Sequence, residues 1–220
     1  MRITKINPRY EHWRSFIGSV PDIFEQEGKE IYNKRNLIKV LTAPDGTAVN
    51  VKRYHVPHGP NRLVYSWGIR KPKCQRAFDY PMILKNKGIE TPEPIAIIEE
   101  RSWLGLLGYS YLITMQCDYG HTLYEVGDAK AGTYETLAKA LAHFAAKIHN
   151  GNVLHKDFTP GNVLWKQDDE GFHFSLVDIN RMHFGQVSAK QGLYNLRKFW
   201  GPKEFIRIMV TEYALLRNLD

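Results

Sequence analysis

Two carboxylates and one amide stand out because of their spacing. The segment HKDFTPGNVLW, residues 155–165, places Asp157 two residues after a histidine and Asn162 five residues after Asp157. A second carboxylate, Asp178, lies near the end of the run FSLVDIN that follows. An aspartate on a fixed loop can receive a hydroxyl proton, and an amide oxygen and a carboxylate can hold Mg²⁺ against the phosphates of ATP. The pattern therefore predicts phosphoryl transfer to a hydroxyl group.

A helix is predicted directly before this motif. Apolar residues within 137–148 recur at spacings of four, three and four, which is typical of one buried helix face. Thr133 can cap the start of this helix, and Gly151 can end it.

Short strands and a turn are predicted around the two acids. The apolar runs 153–155 and 162–165 favour strands, with a tight turn at 159–161 between them. Asp178 follows a third, alternating run, so we expect it at a strand end. The spacing alone also fits a turn in which Asp157 bonds its own backbone. The order helix, strand, loop, strand, turn, strand, acid favours the catalytic interpretation.

Composition indicates a globular protein that can bury a core. The chain has 220 residues and 43% hydrophobic content. It contains no apolar run long enough to cross a bilayer, and residues 1–13 have no apolar signal core, so we expect a cytoplasmic protein. Cys74 and Cys117 lie far apart without metal-ligand spacing, which favours reduced thiols.

Positive charge is concentrated in one part of the chain. The window 29–76 contains eleven Lys or Arg residues and two carboxylates, so its net charge is +9 and that of the remainder is −2, within a total of +7. A basic half of this kind suits a polyanionic partner such as ATP, a phosphorylated acceptor, an anionic membrane or nucleic acid. A solvated basic face without one ligand is the alternative.

The first half of the chain predicts a sheet that binds nucleotide. Three strands are expected within 29–56, separated by turns at 33–36 and 44–47. Lys52 lies on the third strand, where a kinase keeps the lysine that contacts the α- and β-phosphates. Asp79 is the only carboxylate between Val51 and Ile89, in a helical stretch, and is the candidate partner of Lys52. It could equally be a helix N-terminal acid.

Two further segments are candidates for binding ATP. The first hairpin lacks the glycines that usually cover the phosphates, and Lys34 and Arg35 could hold phosphate by charge instead, or grip an anionic acceptor. Two more strands are expected between 95 and 117. Backbone groups at Gln116 and Cys117, at the end of the fifth strand, are the expected partners of an adenine edge.

These segments resemble a known family. AVNVKRY, GIETPEPIAIIE, YLITM, HKDFTPGNVLW and SLVDINRM are similar to the lipopolysaccharide kinases of the Kdo/heptose kinase group, from about residue 28 to about residue 185. GIETPEPIA and VDINRM are the more specific segments. The resemblance implies an α+β, protein-kinase-like bilobal fold. A small antiparallel sheet with one helix would form an N-terminal nucleotide-binding lobe, 1–116, and a short, mostly helical catalytic lobe would follow, 117–220.

The resemblance also implies roles for individual residues. Asp157 would be the catalytic base, Asn162 and Asp178 the Mg²⁺ ligands, and Lys52 the phosphate-binding lysine with Asp79 as its partner. ATP and Mg²⁺ would be the cofactors. The acceptor would be a Kdo or heptose sugar on lipid A at the cytoplasmic face of the inner membrane, with peripheral contact to that membrane left open. No nucleic acid and no obligate protein partner are expected.

Two departures from the kinase pattern bear on the acceptor and on the γ-phosphate. Thr159 occupies the position of a lysine in many protein kinases, and either Lys156 or Arg181 could supply the missing charge. Only 40 residues follow Asn180, with a helix expected over 204–219 and no recognisable activation segment. So short a segment argues for a compact acceptor such as a sugar rather than a peptide.

Two other functions compete with this interpretation. One is a kinase of the same fold that acts on another small molecule or on a protein. The other is a non-catalytic kinase-like module that binds anionic surfaces. The presence of all four key side chains, Lys52, Asp157, Asn162 and Asp178, argues against the non-catalytic module.

Overall fold

The chain packs into two units. A computed structural model describes residues 1–34, 36–130 and 132–219. The first unit comprises Met1–Pro81 and Pro92–Cys117, and the second comprises Met82–Thr91 and the chain from Asp118 onward. The predicted division into a nucleotide-binding lobe, 1–116, and a catalytic lobe, 117–220, concerns function and stays a prediction.

An antiparallel sheet is the framework of the first unit. Its strands are β1 (Arg2–Ile6), β2 (Lys29–Asn33), β3 (Leu37–Thr42), β4 (Ala48–Tyr54), β5 (Pro94–Arg101) and β6 (Leu107–Met115). Across the described part of the sheet the order is β1-β5-β6-β4-β3-β2. The predicted meander over 29–56 and the two later strands are confirmed.

The first strand, β1, was not predicted. It pairs antiparallel with β5, with Lys5 opposite Ile97. Four of its five residues are exposed, because β1 is an edge strand with one side toward solvent. Its sequence, RITKI, is too short and too polar to indicate a strand by itself. It matters for the site because it places Lys5 beside the helix that covers this sheet.

Two helices cover opposite faces of the sheet. After a 3₁₀ segment at Pro8–Trp13, helix α1 (Arg14–Ile23) buries Ile17 and Val20 against Val49 and Val51. The helices α2 (Pro60–Ser66) and α3 (Lys73–Lys85) follow β4. On the other face, α3 packs against the sheet through Cys74, Ala77 and Phe78, which contact Tyr54, Ile97 and Leu112. The prediction of one helix in this unit was therefore incomplete, because α1 and α2 were not recognised.

A buried lysine joins α1 to the sheet. Lys39 on β3 is 8% exposed, and its Nζ donates to the carbonyls of Phe24 at 2.6 Å, Glu25 at 3.0 Å and Glu27 at 3.2 Å. These carbonyls lie just past the end of α1, where helix carbonyls lack intrahelical partners. Lys39 therefore serves as a cap rather than as part of a phosphate-binding surface.

The helix α3 continues through its proline. Pro81 lies inside α3, eight residues after its start, rather than in its first turn. Cys74 is fully buried, and burial raises the pKa of its thiol to about 12. Cys74 and Cys117 are both free thiols, and Cys117 is only partly buried.

The second unit combines helices with small sheets. Its helices are α4 (Glu135–Asn150), α5 (Ala189–Leu196) and α6 (Lys203–Leu216). Its strands are β7 (His121–Thr122), β8 (Val153–His155), β9 (Val163–Asp168), β10 (Gly171–Leu176) and β11 (Met182–Phe184). Among the described residues, β10-β9-β7 form one sheet and β11-β8 another.

The predicted helix before the motif is confirmed as α4. Leu137, Leu141 and Ile148 are buried, and Phe144 stacks on Phe174 with ring centroids 5.0 Å apart. Gly151 follows the last helical residue, as expected, but Thr133 is not the cap. Its hydroxyl donates to the Lys130 carbonyl, and the residue before α4 is Tyr134. No helix in the described ranges is both long and apolar enough to cross a bilayer.

Candidate active site

The predicted motif forms a loop after β8 that is bonded to two neighbouring segments. Strand β8 pairs antiparallel with β11, and the Lys156 N–H donates to the Arg181 carbonyl at 2.9 Å. The Val177 N–H donates to the Asn162 carbonyl at 3.0 Å. The structure therefore brings Asn162 next to the segment that carries Asp178.

His155 holds the loop in shape from within the core. It is fully buried. Its Nδ1 accepts from the Asp157 N–H at 3.1 Å, so its Nε2 carries the proton and donates to the Val177 carbonyl at 3.2 Å. Burial lowers the pKa of His155, so the ring is neutral and suited to accept at one nitrogen and donate at the other. His155 therefore supports the loop through its bonds to Asp157 and Val177.

A chain of buried polar groups connects α6 to the same loop. The Asn195 Nδ2 donates to the His155 carbonyl at 3.1 Å, and its Oδ1 accepts from His149 Nε2 at 3.3 Å. The opposite ring nitrogen, Nδ1 of His149, then accepts from the Tyr213 hydroxyl at 2.7 Å. The Tyr213 oxygen accepts in turn from Arg217 at 3.1 Å. Each donor along this polar chain meets an acceptor, so the C-terminal helix helps to fix the loop.

The polar chain was not found from the sequence. Its members come from α4, α5 and α6 and from the residue after α6, and they are separated by up to 68 positions, from His149 to Arg217. The only local signal is the four-residue spacing of Tyr213 and Arg217, which places them on one helix face.

Asp157 lies between two cations. Arg181 Nη1 is 2.8 Å from one carboxylate oxygen, and Lys198 Nζ is 3.3 Å from the other. Lys198 also donates to the Lys156 carbonyl. Of the two predicted sources of compensating charge, Arg181 therefore contacts Asp157. Lys198 was missed because it lies 41 residues downstream and outside any motif.

The Asn162 amide is oriented by the loop itself. Its Nδ2 donates to the Asp157 carbonyl at 2.8 Å, so the amide nitrogen is occupied and the oxygen is the atom suited to a cation. In the turn before it, a Cβ on Gly161 would lie 2.5 Å from the Tyr124 ring, so a larger residue there would force the half-exposed Tyr124 side chain to move. Tyr124 therefore packs directly on the turn that presents Asn162.

Asp178 has a left-handed backbone conformation. Its φ is 54°, an uncommon value for a residue other than glycine. Asn180, which is buried, donates from Nδ2 to the Asp178 Oδ1 at 2.6 Å. This bond offsets the cost of the strained backbone and fixes the carboxylate beyond the end of β10. Asp178 thus lies just past a strand end, as predicted.

Lys52 lies on the sheet face that α3 covers. It is half-buried on β4, opposite Leu112 of β6. Its Nζ is 5.2 Å from the centroid of the Tyr54 ring, on the same face. Since Tyr54 and Leu112 pack against α3, the side chain of Lys52 is directed toward that helix.

Asp79 has other partners than the one predicted. Lys5 Nζ is 2.8 Å from one oxygen of Asp79, and Lys71 Nζ is 2.9 Å from the other. Partial burial raises the pKa of Asp79, but the bonds from both lysines outweigh it, so the pKa lies below its usual value.

The strand order explains these contacts. Lys5, Ile97, Leu112 and Lys52 lie opposite one another on successive strands, so about 14 Å, three inter-strand spacings, separates the backbone of Lys5 from that of Lys52. Asp79 lies at the β1 end of this row. The contacts of Asp79 therefore give no support to the prediction that it pairs with Lys52.

The remaining candidates lie in the first unit. Lys34 is exposed after β2, and Arg35 lies outside the described residues. The Gln116 side chain accepts from Asn50 at 3.1 Å and donates to the Cys117 carbonyl at 2.9 Å. Side-chain bonds therefore fix the segment after β6, and the adenine-binding role of Gln116 and Cys117 stays a prediction.

No group of three or more His, Cys, Asp or Glu side chains among the described residues could hold a metal ion. A cation held by Asn162 and Asp178 would therefore need further oxygen ligands from a phosphate or from water.

Solved structures of similar fold include WaaP and two kinases. WaaP in complex with acyl carrier protein matches with a TM-score of 0.57 and 16% identity, over 99% of this chain and 91% of that one. The amicoumacin kinase hAmiN, solved with AMP-PNP, Ca²⁺ and amicoumacin, gives 0.62 and 12%, over 96% and 80%. The Rio2 kinase of Chaetomium thermophilum, an ADP/Mg²⁺-phosphoaspartate complex, gives 0.54 and 14%, over 95% and 71%. The fold is therefore protein-kinase-like, as predicted.

The family follows from the sequence match. The model of the lipopolysaccharide kinase (Kdo/WaaP) family matches residues 27–204, and the chain belongs to that family. It is therefore a phosphotransferase with an alcohol group as acceptor, which confirms the predicted class of enzyme. No curated protein sequence matches the chain. Because the WaaP structure contains acyl carrier protein, the expectation of no obligate protein partner stays a prediction.

Proposed function

We propose that the protein transfers the γ-phosphate of ATP, with Mg²⁺, to a sugar hydroxyl of the lipopolysaccharide inner core, a Kdo or heptose on lipid A. The observation that carries the proposal is the geometry of the loop 155–162. It holds the partly exposed Asp157 carboxylate between two cations and fixes the Asn162 amide through its nitrogen. Membership of the lipopolysaccharide kinase family supports the class of acceptor.

In this mechanism Asp157 orients the acceptor hydroxyl and receives its proton. Its backbone is fixed by His155 and its carbonyl by Asn162, so the carboxylate is positioned before the acceptor binds. Arg181 and Lys198 contact the two carboxylate oxygens. Either cation lies close enough to Asp157 to stabilise the γ-phosphoryl group during its transfer to an acceptor bound at Asp157. Arg181 or Lys198 would thus supply the positive charge that Thr159 lacks.

The protein offers oxygen ligands for Mg²⁺ and a candidate lysine for the nucleotide phosphates. Asn162 offers an amide oxygen, and Asp178 offers an exposed carboxylate, which are the ligands that Mg²⁺ prefers. Bound Mg²⁺ would neutralise charge on the ATP phosphates. In the first unit Lys52 is the candidate contact for the α- and β-phosphates, and Lys34 and Arg35 are candidates for ATP or for the acceptor.

A cavity beside the loop suits an acidic sugar. It has a volume of about 410 Å³ and lies next to Lys156, Lys190, Tyr194 and Lys198, within the usual range for small-molecule sites. The three lysines can pair with a carboxylate or phosphate on the acceptor, and the ring of Tyr194 offers an apolar face to a sugar. Lys198 contacts both this cavity and Asp157, so an acceptor bound there would lie near the base.

Transfer of labelled γ-phosphate to deacylated inner-core oligosaccharide tests the proposal. Asp157→Asn should abolish labelling while nucleotide binding survives. Asp169→Asn, an exposed acid in the β9–β10 turn, is the matched control and should leave labelling unchanged. Labelling that persists in Asp157→Asn would refute the assignment of the base.

The acceptor cavity has its own test. Lys190→Met should raise the KM for the oligosaccharide and leave the KM for ATP unchanged, because Lys190 lies on the cavity and outside the loop. An unchanged acceptor KM, or efficient transfer to neutral sugars and proteins instead, would favour a kinase for another acceptor.

A further inference from the structure

The first unit exposes a group of large apolar side chains. Trp103 is 90% exposed, Ile69 72%, Trp67 68%, Leu104 61% and Leu63 40%. Single exposed apolar residues are common on protein surfaces, whereas a cluster indicates an interaction site. We call these five residues the apolar patch.

The two segments that carry the apolar patch are bonded together. Arg62 on α2 donates from Nε to the Leu107 carbonyl at 2.9 Å, and the Leu107 N–H donates to the Ser66 hydroxyl at 2.8 Å. Arg101 donates from Nη1 to the carbonyls of Ser66, at 3.2 Å, and Gly105, at 3.0 Å. The end of α2 and the turn of the β5–β6 hairpin therefore form one framework, which holds Trp67 and Trp103 in the same region.

The hairpin turn places its two apolar residues at the tip. The Gly105 N–H donates to the Ser102 carbonyl at 3.0 Å, and the Ser102 N–H donates to the Leu106 carbonyl at 2.9 Å. Trp103 and Leu104 are thus the central residues of a closed turn. Gly105 has a φ of 75°, which a side chain would disfavour. Solvent-exposed turn tips are usually polar, so a Trp-Leu pair there requires another explanation.

The surroundings of the apolar patch are basic. The segment 57–76 contains five Lys or Arg residues and no carboxylate. Arg70 and Lys73 within it are exposed, and Lys71 pairs with Asp79. Charge and exposed apolar surface therefore occur on the same part of the unit.

We propose that the apolar patch docks the protein on an anionic lipid bilayer. Tryptophan rings favour the headgroup region, aliphatic side chains enter the acyl boundary, and the neighbouring cations attract acidic headgroups. A protruding hairpin tip suits insertion into a bilayer better than it suits the binding of a partner helix, which needs a groove. The proposal does not depend on the kinase mechanism, because none of these residues belongs to the loop around Asp157.

Co-sedimentation with vesicles tests the proposal. The wild-type protein should bind vesicles that contain phosphatidylglycerol and bind pure phosphatidylcholine weakly. Trp103→Ala/Leu104→Ala should lower the partition coefficient about tenfold through lost apolar burial. Trp200→Ala/Leu215→Ala removes the same side-chain types at positions 52% and 68% exposed in the second unit, and it should bind as the wild type does.

A charge-reversal pair tests the electrostatic part. Arg70→Glu/Lys73→Glu should weaken binding at least about 25-fold at low salt, taking about fivefold for each of the two cations lost, with further loss from repulsion of the new carboxylates. Lys130→Glu/Lys139→Glu makes the same change in net charge on exposed residues of the second unit, and it should weaken binding far less.

Three outcomes would overturn the proposal. The wild-type protein could fail to bind anionic vesicles, or a variant of the first unit and its control in the second unit could lose vesicle binding equally. Analytical ultracentrifugation could also show that the protein self-associates through the apolar patch. Labelling of the deacylated, soluble oligosaccharide is measured in parallel. Because that acceptor needs no membrane, it should be unaffected by the Trp103→Ala/Leu104→Ala change, which separates failure of docking from failure of the kinase assignment.

Discussion

Replacing Tyr213 by phenylalanine tests whether the buried polar chain stabilises the second unit. The side chain is fully buried, and the change removes one oxygen and leaves almost no cavity. The His149 Nδ1 loses its donor at 2.7 Å, and Arg217 loses an acceptor at 3.1 Å. A buried group left without a partner costs about 1–3 kcal/mol. Because Arg217 keeps its 2.7 Å bond to the Val187 carbonyl, we expect a loss of about 2 kcal/mol.

Urea unfolding followed by both fluorescence and circular dichroism measures this loss, provided that the two signals coincide. Tyr194→Phe is the matched control, because Tyr194 is 60% exposed, and its free energy of unfolding should change by less than about 0.5 kcal/mol. A double-mutant cycle with Asn195→Ala should show coupling, since both residues bond to His149. A loss below about 0.5 kcal/mol in Tyr213→Phe would show that the buried polar chain does not stabilise the second unit.

Three further predictions follow from the packing and charge of the described residues. A Cβ on Gly192 would lie 1.9 Å from the Tyr213 hydroxyl, so Gly192→Ala should lower the free energy of unfolding by about 1–3 kcal/mol. A Cβ on Gly18 in α1 would have nothing within 4 Å, so Gly18→Ala should raise the free energy of unfolding slightly in the same urea assay. Burial lowers the pKa of His149 to about 4. The stability that neutral His149 contributes is therefore present above its unfolded pKa of about 6.5 and is lost as the pH falls from there toward 4. In an NMR titration the ring should stay neutral down to about pH 5, and a midpoint near 6.5 would contradict this. Asp79→Asn should leave the Kd for Mg·ATP nearly unchanged, because Asp79 pairs with Lys5 and Lys71. A loss of Mg·ATP affinity as large as that in Lys52→Met would instead indicate that Asp79 is the partner of Lys52.

Local patterns predicted most of the elements around the loop. The helix α4, the strands β8–β10 and the turn at 159–161 each have a short-range signal, namely helical spacing, alternation or a Pro-Gly pair. The order of these elements placed Asp157 after β8 and Asp178 just past β10, as observed, whereas Asn162 ends the turn before β9 instead of beginning the strand. The resemblance to lipopolysaccharide kinases, confirmed by the family match over residues 27–204, added the class of acceptor.

Long-range contacts account for what was missed. Lys198 and Asn195 reach the loop from about 40 positions away, and sequence spacing carries no information about such pairs. The partner of Asp79 depended on β1, an exposed edge strand whose pairing with β5 brings Lys5 to α3. Thr133 was a plausible cap by residue type, but its hydroxyl bonds within its own turn.

Phosphorylation of inner-core lipopolysaccharide by the purified protein would test the proposed acceptor directly. Mass spectrometry and ³¹P NMR would identify the product formed from ATP, Mg²⁺ and the acceptor. We predict one new phosphomonoester on a Kdo or heptose hydroxyl, absent with Asp157→Asn and present with Asp169→Asn. An unmodified sugar core, in a sample where the protein binds Mg·ATP, would contradict the proposed acceptor.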